Sequence, residues 1–306
     1  MDRFDALQAF ARVVEAGSFT KAAATLHLSK TTVTQLVQQL EARLRVKLLH
    51  RTTRKVSVTK EGAEYYARVV RVLADLEDAD AEVTSVLGAA RGRLRVDVPS
   101  PFARLVLMPA LPAFHRRYPD IQLDIGASDR VADVIADNID CVLRGGEVTV
   151  PSLIARRVGE LQLAVYASSD YVRRAGRPAV PQDLEAPGHQ VVGFLRSSSG
   201  KVAPMVLYRR AARSEESIEV RGRCVVSTDD GNAYLAAGLA GLGALWLPCY
   251  MAAPHVARGE LVPVLPDWQV PPMPMYLAYP PTRSVSPKLR SFASWIDELM
   301  AGLASA

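Results

Sequence analysis

The stretch from Ser18 to Leu44 reads SFTKAAATLHLSKTTVTQLVQQLEARL and has the pattern of two helices joined by a tight turn. Alanines at positions 22 to 24 give the first helix a small surface that a second helix can cross closely. Ser29 is placed to cap the second helix, because its hydroxyl can accept a hydrogen bond from a free backbone N–H. The pattern predicts a helix-turn-helix, with a first helix from about Phe19 to Leu26 and a second after Ser29.

The second predicted helix has one apolar stripe and one polar face. The stripe consists of Val33, Leu36, Val37, Leu40 and Leu44. The polar face offers ammonium, hydroxyl and amide groups, which bind DNA phosphates and base edges, and it contains no acid before Glu41 that would repel the DNA backbone. A surface helix with a solvated polar face is the alternative. The predicted DNA-binding residues of this helix and its cap are Ser29, Lys30, Thr31, Thr32, Thr34, Gln35 and Gln38.

A basic two-stranded wing is predicted directly after this helix. Between Leu48 and Thr59, Val56 and Val58 alternate with polar residues, as in a half-buried strand. Basic side chains at the tip of such a wing are suited to DNA phosphates and to the narrow minor groove. The predicted DNA-binding residues of the wing are Arg51, Arg54 and Lys55.

Residues 4–62 resemble the winged helix-turn-helix of LysR-type transcriptional regulators. The matching positions are Ala22-Ala23, Leu26, Leu28-Ser29, Val33, Leu40-Glu41, Leu48 to Arg51, and Thr59-Lys60-Glu61-Gly62. The polar face of the second predicted helix departs from the family. Family members often have Gln-Pro or Gln-Ser after the cap and Ser-Arg further along, whereas this chain has Lys30-Thr31 and Thr34-Gln35. The resemblance implies promoter binding, but the operator sequence does not carry over.

Composition and charge indicate where a polyanion would bind. A chain of 306 residues with 49% apolar and 23% charged residues is typical of a soluble globular protein with about two domains. Residues 1–60 contain 11 Lys and Arg against 4 Asp and Glu, a net charge of +7, whereas residues 61–306 contain 26 against 28, a net charge of −2. The N-terminal part is therefore expected to bind DNA.

One long helix is predicted from Glu61 to about Leu87. Its apolar stripe consists of Tyr66, Val69, Leu73 and Leu76. Gly88 would end the helix, and Arg91-Gly92 would form a hinge to the next domain. We interpret it as a dimerisation helix, because a palindromic operator requires a two-fold protein. Packing of the helix on its own domain is the alternative.

After Gly92, short apolar runs alternate with helical patterns, which predicts a mostly parallel sheet covered by helices. The predicted strands are Leu94 to Val98, Ile121 to Ile125, Asp140 to Leu143, Leu161 to Tyr166, Gln190 to Phe194, Glu219 to Val226, Ala244 to Leu247 and Met275 to Tyr279. The predicted helices are Pro101 to Arg117, Arg130 to Asp137 and Pro287 to Leu303.

Residues 92–303 resemble the LysR-type effector-binding domain, a periplasmic-binding-protein-like pair of α/β subdomains with the effector between them. The expected fold class is therefore α/β with an N-terminal all-α winged helix-turn-helix. The expected domains are 1–60 for DNA binding, 61–91 for the linker helix and hinge, and 92–306 for effector binding. One subdomain would consist of about 93–163 and 268–303, and the other of about 164–267.

Polar and glycine clusters follow several predicted strands, where ligands bind in open α/β sheets. By the resemblance, hydroxyls there would donate to the effector, Phe194 would pack on it and Arg144 would bind an anionic group. Asp229 and Asp230 disfavour a highly anionic ligand. The alternative is that these side chains cap helices or form an internal ion pair. The predicted effector-binding residues are Ser100, Ser128, Asp129, Arg144, Gly146, Phe194 and Thr228.

Motifs for catalysis or metal binding do not reach their required spacing. The segment Ser197 to Lys201 resembles a phosphate loop, but Leu195 and Val202 replace the required Gly and Ser or Thr. There is no GxSxG or HExxH motif, and the three cysteines include no CxxC pair. We predict no catalytic residue, no metal site and no cofactor.

The sequence thus predicts a sequence-specific regulator of LysR type, controlled by a small molecule. Expected partners are double-stranded DNA, the effector, and further copies of the chain in a homodimer or, by the resemblance, a homotetramer, with RNA polymerase as a further candidate. Neither a signal peptide nor a membrane span is recognisable, so a cytoplasmic location is expected. The alternative is a ligand-sensing or solute-binding protein with weak, non-specific DNA binding.

Overall fold

The computed structural model describes residues 2–51, 56–84, 90–130, 134, 139–147, 150, 152–197, 199–211, 214–281 and 285–304. These residues form two compact units, of which the first comprises Met1–Gly88 and the second comprises Ala89–Val134 and Ile139–Ala306. Within the described residues, no helix combines the length and apolar character that crossing a bilayer requires.

The first unit begins with three helices, α1 (Arg3–Ala16), α2 (Phe19–Thr25) and α3 (Lys30–Leu44). Ser18 and Ser29 cap α2 and α3, and each hydroxyl accepts from the backbone N–H three residues later. Gly17 ends α1 with a φ of 59°, a left-handed conformation that glycine adopts without strain. The predicted helix-turn-helix is present, and α2 ends one residue before the predicted Leu26.

The wing follows as strands β1 (Leu49–Arg51) and β2 (Val56–Val58), which pair antiparallel with Leu49 opposite Val58. Helix α4 (Lys60–Thr84) comes next. Val69 of α4 is buried in the core of this unit, and Tyr66 and Leu73 pack against the same core. Three of the four residues of the predicted dimerisation stripe therefore pack on their own unit, as the alternative interpretation required. The predicted helix end at Leu87 lies outside the described residues.

A five-stranded sheet organises the first half of the second unit, in the order β4-β3-β5-β14-β6. Its strands are β3 (Gly92–Val98), β4 (Ile121–Ala127), β5 (Cys141–Gly145), β6 (Ile154–Leu161) and β14 (Met273–Tyr279). A helical run covers it, formed by α5 (Ser100–Phe102), a π-helical turn (Ala103–Leu107) and α6 (Met108–Arg117), together with the closing helix α10 (Pro287–Ala304). Phe114 of α6 packs on Phe292 and Trp295 of α10, with ring centroids 6.0 and 4.8 Å away.

Three smaller sheets form the other half of this unit. Strand β7 (Leu163–Ser168) lies between β12 (Leu245–Pro248) and β13 (Leu261–Pro263), β8 (Val191–Phe194) pairs with β11 (Cys224–Thr228), and β9 (Met205–Ala211) forms a hairpin with β10 (Ser214–Val220). Helices α7 (Ser169–Ala175), α8 (Gly231–Leu239) and α9 (Cys249–Ala257) complete it, with a 3₁₀ turn at Pro181–Glu185. The chain enters this half at Gln162 and leaves it between β13 and β14.

Three details of the predicted sheets are wrong. The predicted strand from Leu161 to Tyr166 is two strands, β6 and β7, because Gln162 separates residues that belong to different sheets. The predicted strand from Glu219 to Val226 is likewise the end of β10 and the beginning of β11. The sheets are also mixed, since β14 runs antiparallel to both β5 and β6 on its return. Of the predicted helix from Arg130 to Asp137, residues 131–133 and 135–137 lie outside the described residues.

Candidate DNA-binding face and ligand cleft

The outer face of α3 presents exposed polar side chains that include those of Lys30, Thr31, Gln35, Gln38 and Gln39. The opposite side of the helix is fixed in the core, where Val33, Leu36, Val37 and Leu40 are buried. Because one face is held by packing, the polar face has a defined direction. Within the described residues, the Gln35 and Gln38 amides have no hydrogen-bond partner, so both remain able to pair with base edges.

The other predicted residues of this segment bond locally. The Ser29 hydroxyl accepts from the backbone N–H of Thr32 at 3.0 Å and lies 2.8 Å from the Thr32 hydroxyl. The Thr34 hydroxyl donates to the Lys30 carbonyl at 2.8 Å. These three hydroxyls therefore shape the first turn of α3. Arg51 lies in β1, although its side chain is outside the described part of the chain, as are Arg54 and Lys55.

Glu41 joins α3 to the wing, a role that the sequence analysis did not predict. Its residue is only 3% exposed, and its carboxylate accepts from the backbone N–H groups of Leu48 and Leu49 at 2.9 and 3.2 Å. The Lys47 ammonium adds a contact at 3.2 Å. Burial alone would raise the pKa of Glu41, but the hydrogen bonds from Leu48, Leu49 and Lys47 outweigh burial and hold the pKa below its ordinary value. A charged carboxylate thus fixes the start of β1.

The Thr59-x-x-Gly62 segment fixes the start of α4 against the residues that directly precede β1. The Thr59 hydroxyl donates to the Lys47 carbonyl at 2.8 Å and accepts from the Gly62 N–H at 2.9 Å. A Cβ atom on Gly62 would overlap the Leu48 carbonyl, so this position requires glycine for space. The motif therefore works by close packing of the backbone and supports the wing.

Asp129 joins the two subdomains of the second unit, at the boundary where the effector cleft is expected. Its carboxylate accepts from the Ser100 N–H at 3.0 Å and from the Gly231 N–H at 2.6 Å. Ser100 begins the helical run of one subdomain, and Gly231 begins α8 of the other. A Cβ atom on Gly231 would also overlap the Pro101 ring, so the two helix starts are in close contact. One carboxylate thus bonds both halves of the unit.

Three further hydrogen bonds cross the cleft beside Asp129. The Ser197 hydroxyl donates to the Asp129 carbonyl at 2.7 Å. The Asn232 amide donates to the Ser100 hydroxyl at 2.8 Å, and the Arg130 guanidinium donates to Asp229 at 3.1 Å. The partners are separated by 68, 132 and 99 residues along the chain. Arg130, Ser197 and Asn232 were not predicted as site residues. Only the position of Arg130 beside Asp129 in the sequence could have indicated one of them.

Arg144 lies beside this cluster, where it bonds within its own subdomain. Its guanidinium pairs with the carboxylate of Asp97 on β3 and donates to the carbonyls of Leu143 and Arg130 at 2.8 and 3.1 Å. The bond to the Arg130 carbonyl holds the loop that carries Asp129. In this conformation Arg144 is an internal ion-pair partner, the alternative considered for it from sequence.

The remaining predicted effector residues lie at strand ends in both subdomains. The Ser128 hydroxyl accepts from the Arg130 N–H at 3.1 Å, and the Thr228 hydroxyl accepts from the Asp230 N–H at 3.2 Å. Phe194 is half-buried and meets the Tyr234 ring edge-on, with centroids 5.5 Å apart. The Gly146 N–H donates to the Pro274 carbonyl at 2.9 Å. Ser100 and Thr228 do not cap helices, because Pro99 and Asp230 occupy the cap positions.

Electrostatics around Asp129 are acidic. Burial raises the pKa of Asp129, Asp230 raises it further, and the N–H groups of Gly231 and Ser100 and the charge of Arg144 lower it, with a net result above the ordinary value. Burial and the Asp129 charge also raise the pKa of Tyr250, whose ring meets that of Phe102 edge-on across the cleft at 6.2 Å. A further negative charge beside Asp129 would therefore be unfavourable.

Metal-ligand geometry is absent among the described residues, where no three His, Cys, Asp or Glu side chains converge as ligands would.

The three cysteines are unpaired, and they differ in exposure. Cys141 is buried, with the pKa of its thiol raised by burial and by Asp140, whereas Cys224 is exposed and Cys249 is half-buried.

Comparison with known proteins agrees with both halves of the chain. Residues 4–63 match the family model described as "Bacterial regulatory helix-turn-helix protein, lysR family", and residues 88–301 match that described as "LysR substrate binding domain". An HTH-type transcriptional repressor of Pseudomonas aeruginosa is 36% identical over 303 residues, covering 98% of this chain and 93% of that protein.

Solved full-length structures extend the similarity to the fold. The Vibrio cholerae virulence activator AphB is 28% identical with a TM-score of 0.58, covering 97% of this chain and 98% of that one. CrgA of Neisseria meningitidis is 29% identical with a TM-score of 0.57, covering 98% of both chains. The chain belongs to the LysR family of transcriptional regulators and combines a winged helix-turn-helix with an effector-binding domain of two α/β subdomains.

Proposed function

We propose that a homodimer of this chain reads promoter DNA with the outer faces of its two α3 helices. The observation that carries the proposal is the exposed polar face of α3 on a helix whose other face is buried. Gln35 and Gln38 would pair with base edges, because a glutamine can bond an adenine at two atoms. Lys30 and Thr31 would bind phosphates and set the register of the helix in the groove.

The wing and the first turn of α3 would supply contacts that do not depend on base sequence. Arg51, Arg54 and Lys55 carry the charges needed for phosphates or for the minor groove. Ser29, Thr32 and Thr34 would take part mainly by shaping the turn, because their hydroxyls already bond within it. A LysR-type regulator acts on chromosomal DNA, so we place this chain in the cytoplasm.

Dimerisation is assigned to the part of α4 that its own unit leaves uncovered. Val72 is 54% exposed and Leu76 is 42% exposed, four residues apart on one side of the helix. Two copies of α4 could cover these side chains in an antiparallel or parallel pair, and pairing of dimers would give a homotetramer. A contact with RNA polymerase would then link DNA binding to transcription.

The effector would bind between the two subdomains of the second unit. Ser100, Ser128, Asp129, Arg144, Gly146, Phe194 and Thr228 remain the residues that we assign to the cleft or its support. A ligand that binds one arrangement of the subdomains better than another would shift the population between them and so change how the dimer sits on DNA.

Titration of the wild-type protein against the DNA upstream of its own gene and against random DNA tests this function. Fluorescence anisotropy at physiological salt is suitable, since phosphate contacts make both affinities depend on salt. We expect tighter binding to the upstream DNA, and we expect Arg54→Ala to weaken both and lower the salt slope by about one. Equal wild-type affinity for the two DNAs would contradict specific reading by α3.

A further inference from the structure

The position between the starts of the Ser100–Arg117 helical run and α8 is suited to an anion, and Asp129 fills it. Two backbone N–H groups, those of Ser100 and Gly231, point at one carboxylate from opposite subdomains. Free N–H groups at helix starts attract negative charge, and two converging helices strengthen that preference. A carboxylate from solution that bound at this position would need the same two donors.

Charges around the position make a second carboxylate costly. Six charged side chains form ion pairs beside Asp129 or act on its charge, if Asp129 itself is included. Four are acidic and two are basic: Asp97, Asp129, Asp229, Asp230, Arg130 and Arg144. Arg144 is already paired with Asp97, and Arg130 is paired with Asp229. No cation within this group of six is left for an incoming anion, and two carboxylates placed close together repel each other.

We propose that Asp129 is a built-in ligand of the cleft, whose carboxylate takes the place of an acidic effector, joins the two subdomains and excludes carboxylate effectors. This inference rests on the proposed function in treating the cleft as the effector site. Effectors of the wild-type protein are accordingly uncharged or cationic molecules that donate hydrogen bonds. Asp129 determines this selectivity, and the Arg144 contact to the Arg130 carbonyl positions it.

Chemical rescue tests the proposal in the full-length protein. Asp129→Ala removes the carboxylate, so the Ser100 and Gly231 amides should exchange hydrogen at least about tenfold faster, since a hydrogen bond to a charged group is lost at each. Sodium acetate should slow both amides again relative to sodium chloride at the same ionic strength. Wild-type protein should show no acetate-specific change, because its own carboxylate already fills the position.

Asp183→Ala is the matched control. Asp183 also accepts from two backbone N–H groups, those of Ala179 and Val180 at 2.7 and 3.0 Å, but both lie in one short segment of a single subdomain. Its loss should accelerate exchange near Ala179 and leave Ser100 and Gly231 unchanged. Asp129→Asn provides a second variant that keeps the side-chain volume. It should lose protection at one or both amides and ignore acetate, because the amide still fills the space.

Two results would overturn the proposal. One is unchanged exchange at Ser100 and Gly231 in both Asp129 variants. The other is an acetate effect on these amides that is as large in the wild type as in Asp129→Ala, which would mean that solution carboxylates displace Asp129. Neither readout involves DNA, so equal binding of the wild type to operator and random DNA would refute the proposed function and leave this result standing.

Discussion

The outer face of α3 and the cleft of the second unit use polar side chains in opposite ways. On α3, Gln35 and Gln38 are exposed, and a buried stripe on the other side of the same helix fixes their direction. In the cleft, Ser100, Asp129 and Asn232 bond to groups of the opposite subdomain. The first surface leaves its amide groups free for a partner, whereas a ligand that bound in the cleft would have to replace internal contacts.

Two carboxylates show the same contrast, the buried Glu41 and the half-buried Asp129, although each accepts two backbone N–H groups. Glu41 bonds one continuous segment, and its hydrogen bonds keep its pKa below the ordinary value despite burial. Asp129 bonds two subdomains, and burial raises its pKa above the ordinary value despite its hydrogen bonds. The fold therefore favours the charged form of Glu41 and disfavours that of Asp129.

Gly62→Ala should cause the largest loss of stability, and it should destabilise only the winged unit that contains α3. Because the added Cβ would overlap the Leu48 carbonyl, we expect the free energy of unfolding of the winged unit to fall by more than about 4 kcal/mol. Hydrogen exchange would show this as lost protection in α3 with β14 unchanged. Gly302→Ala in α10, where a Cβ meets nothing within 4 Å, is the control. Normal protection of α3 in Gly62→Ala would refute this packing role.

Glu41→Gln should weaken the same unit less and change its response to acid. We expect a loss of about 1–3 kcal/mol at neutral pH, since an amide cannot accept all the hydrogen bonds of the carboxylate. Because the pKa of Glu41 is lowered in the folded state, its stabilisation is present above its ordinary value of 4.5 and is lost as the pH falls through the lowered value.

Unfolding of the winged unit in urea at several pH values measures this difference, with the exposed Glu64→Gln as control. The gap between wild type and Glu41→Gln should narrow on acidification. A gap that stays constant with pH would mean that the charge of Glu41 contributes nothing.

Arg130→Ala should cause the smallest loss of stability. It tests whether the contact between the two subdomains depends on Asp129 or on the ion pair of Arg130 with Asp229. The Arg130 side chain is 78% exposed and that of Asp229 is 39% exposed, so solvent screens their ion pair and its loss should cost at most about 1 kcal/mol. Exchange at the Gly231 amide should rise far less than in Asp129→Ala. If exchange at the Gly231 amide rose equally in the two variants, the ion pair would hold the subdomains together as much as Asp129 does. That result would contradict the central role of the Asp129 carboxylate.

The helix-turn-helix could be predicted from sequence because its signals are local. The Ser29 cap, the stripe from Val33 to Leu44 and the alternation at Val56 and Val58 each lie within one element, and their period identifies the exposed face. The role of Glu41 could not be read in this way. Its hydrogen bonds go to backbone N–H groups, which leave no pattern in the side chains of the sequence.

The residues assigned to the effector cleft stay a prediction, and their contacts across the subdomain boundary were not predicted. The edge where parallel strands end identified Ser100, Asp129 and Thr228, because topology alone brings such residues together. Their partners depend on the angle between two subdomains, which joins Ser100 to Asn232 across 132 residues. The strand breaks at Gln162 and at Arg221 to Arg223 were also missed, because the local pattern of residues does not show that the chain changes sheet.

The most direct test of DNA reading by α3 is the ratio of affinities for operator and random DNA in wild type, Gln35→Ala and Gln35→Ala/Gln38→Ala. Gln182→Ala, an exposed glutamine in the second unit, is the control. We expect each α3 substitution to reduce operator binding by about 1–3 kcal/mol and to leave random DNA nearly unchanged, because base contacts carry the discrimination. Equal losses on the two DNAs, or none on either, would contradict the assignment of base reading to this face.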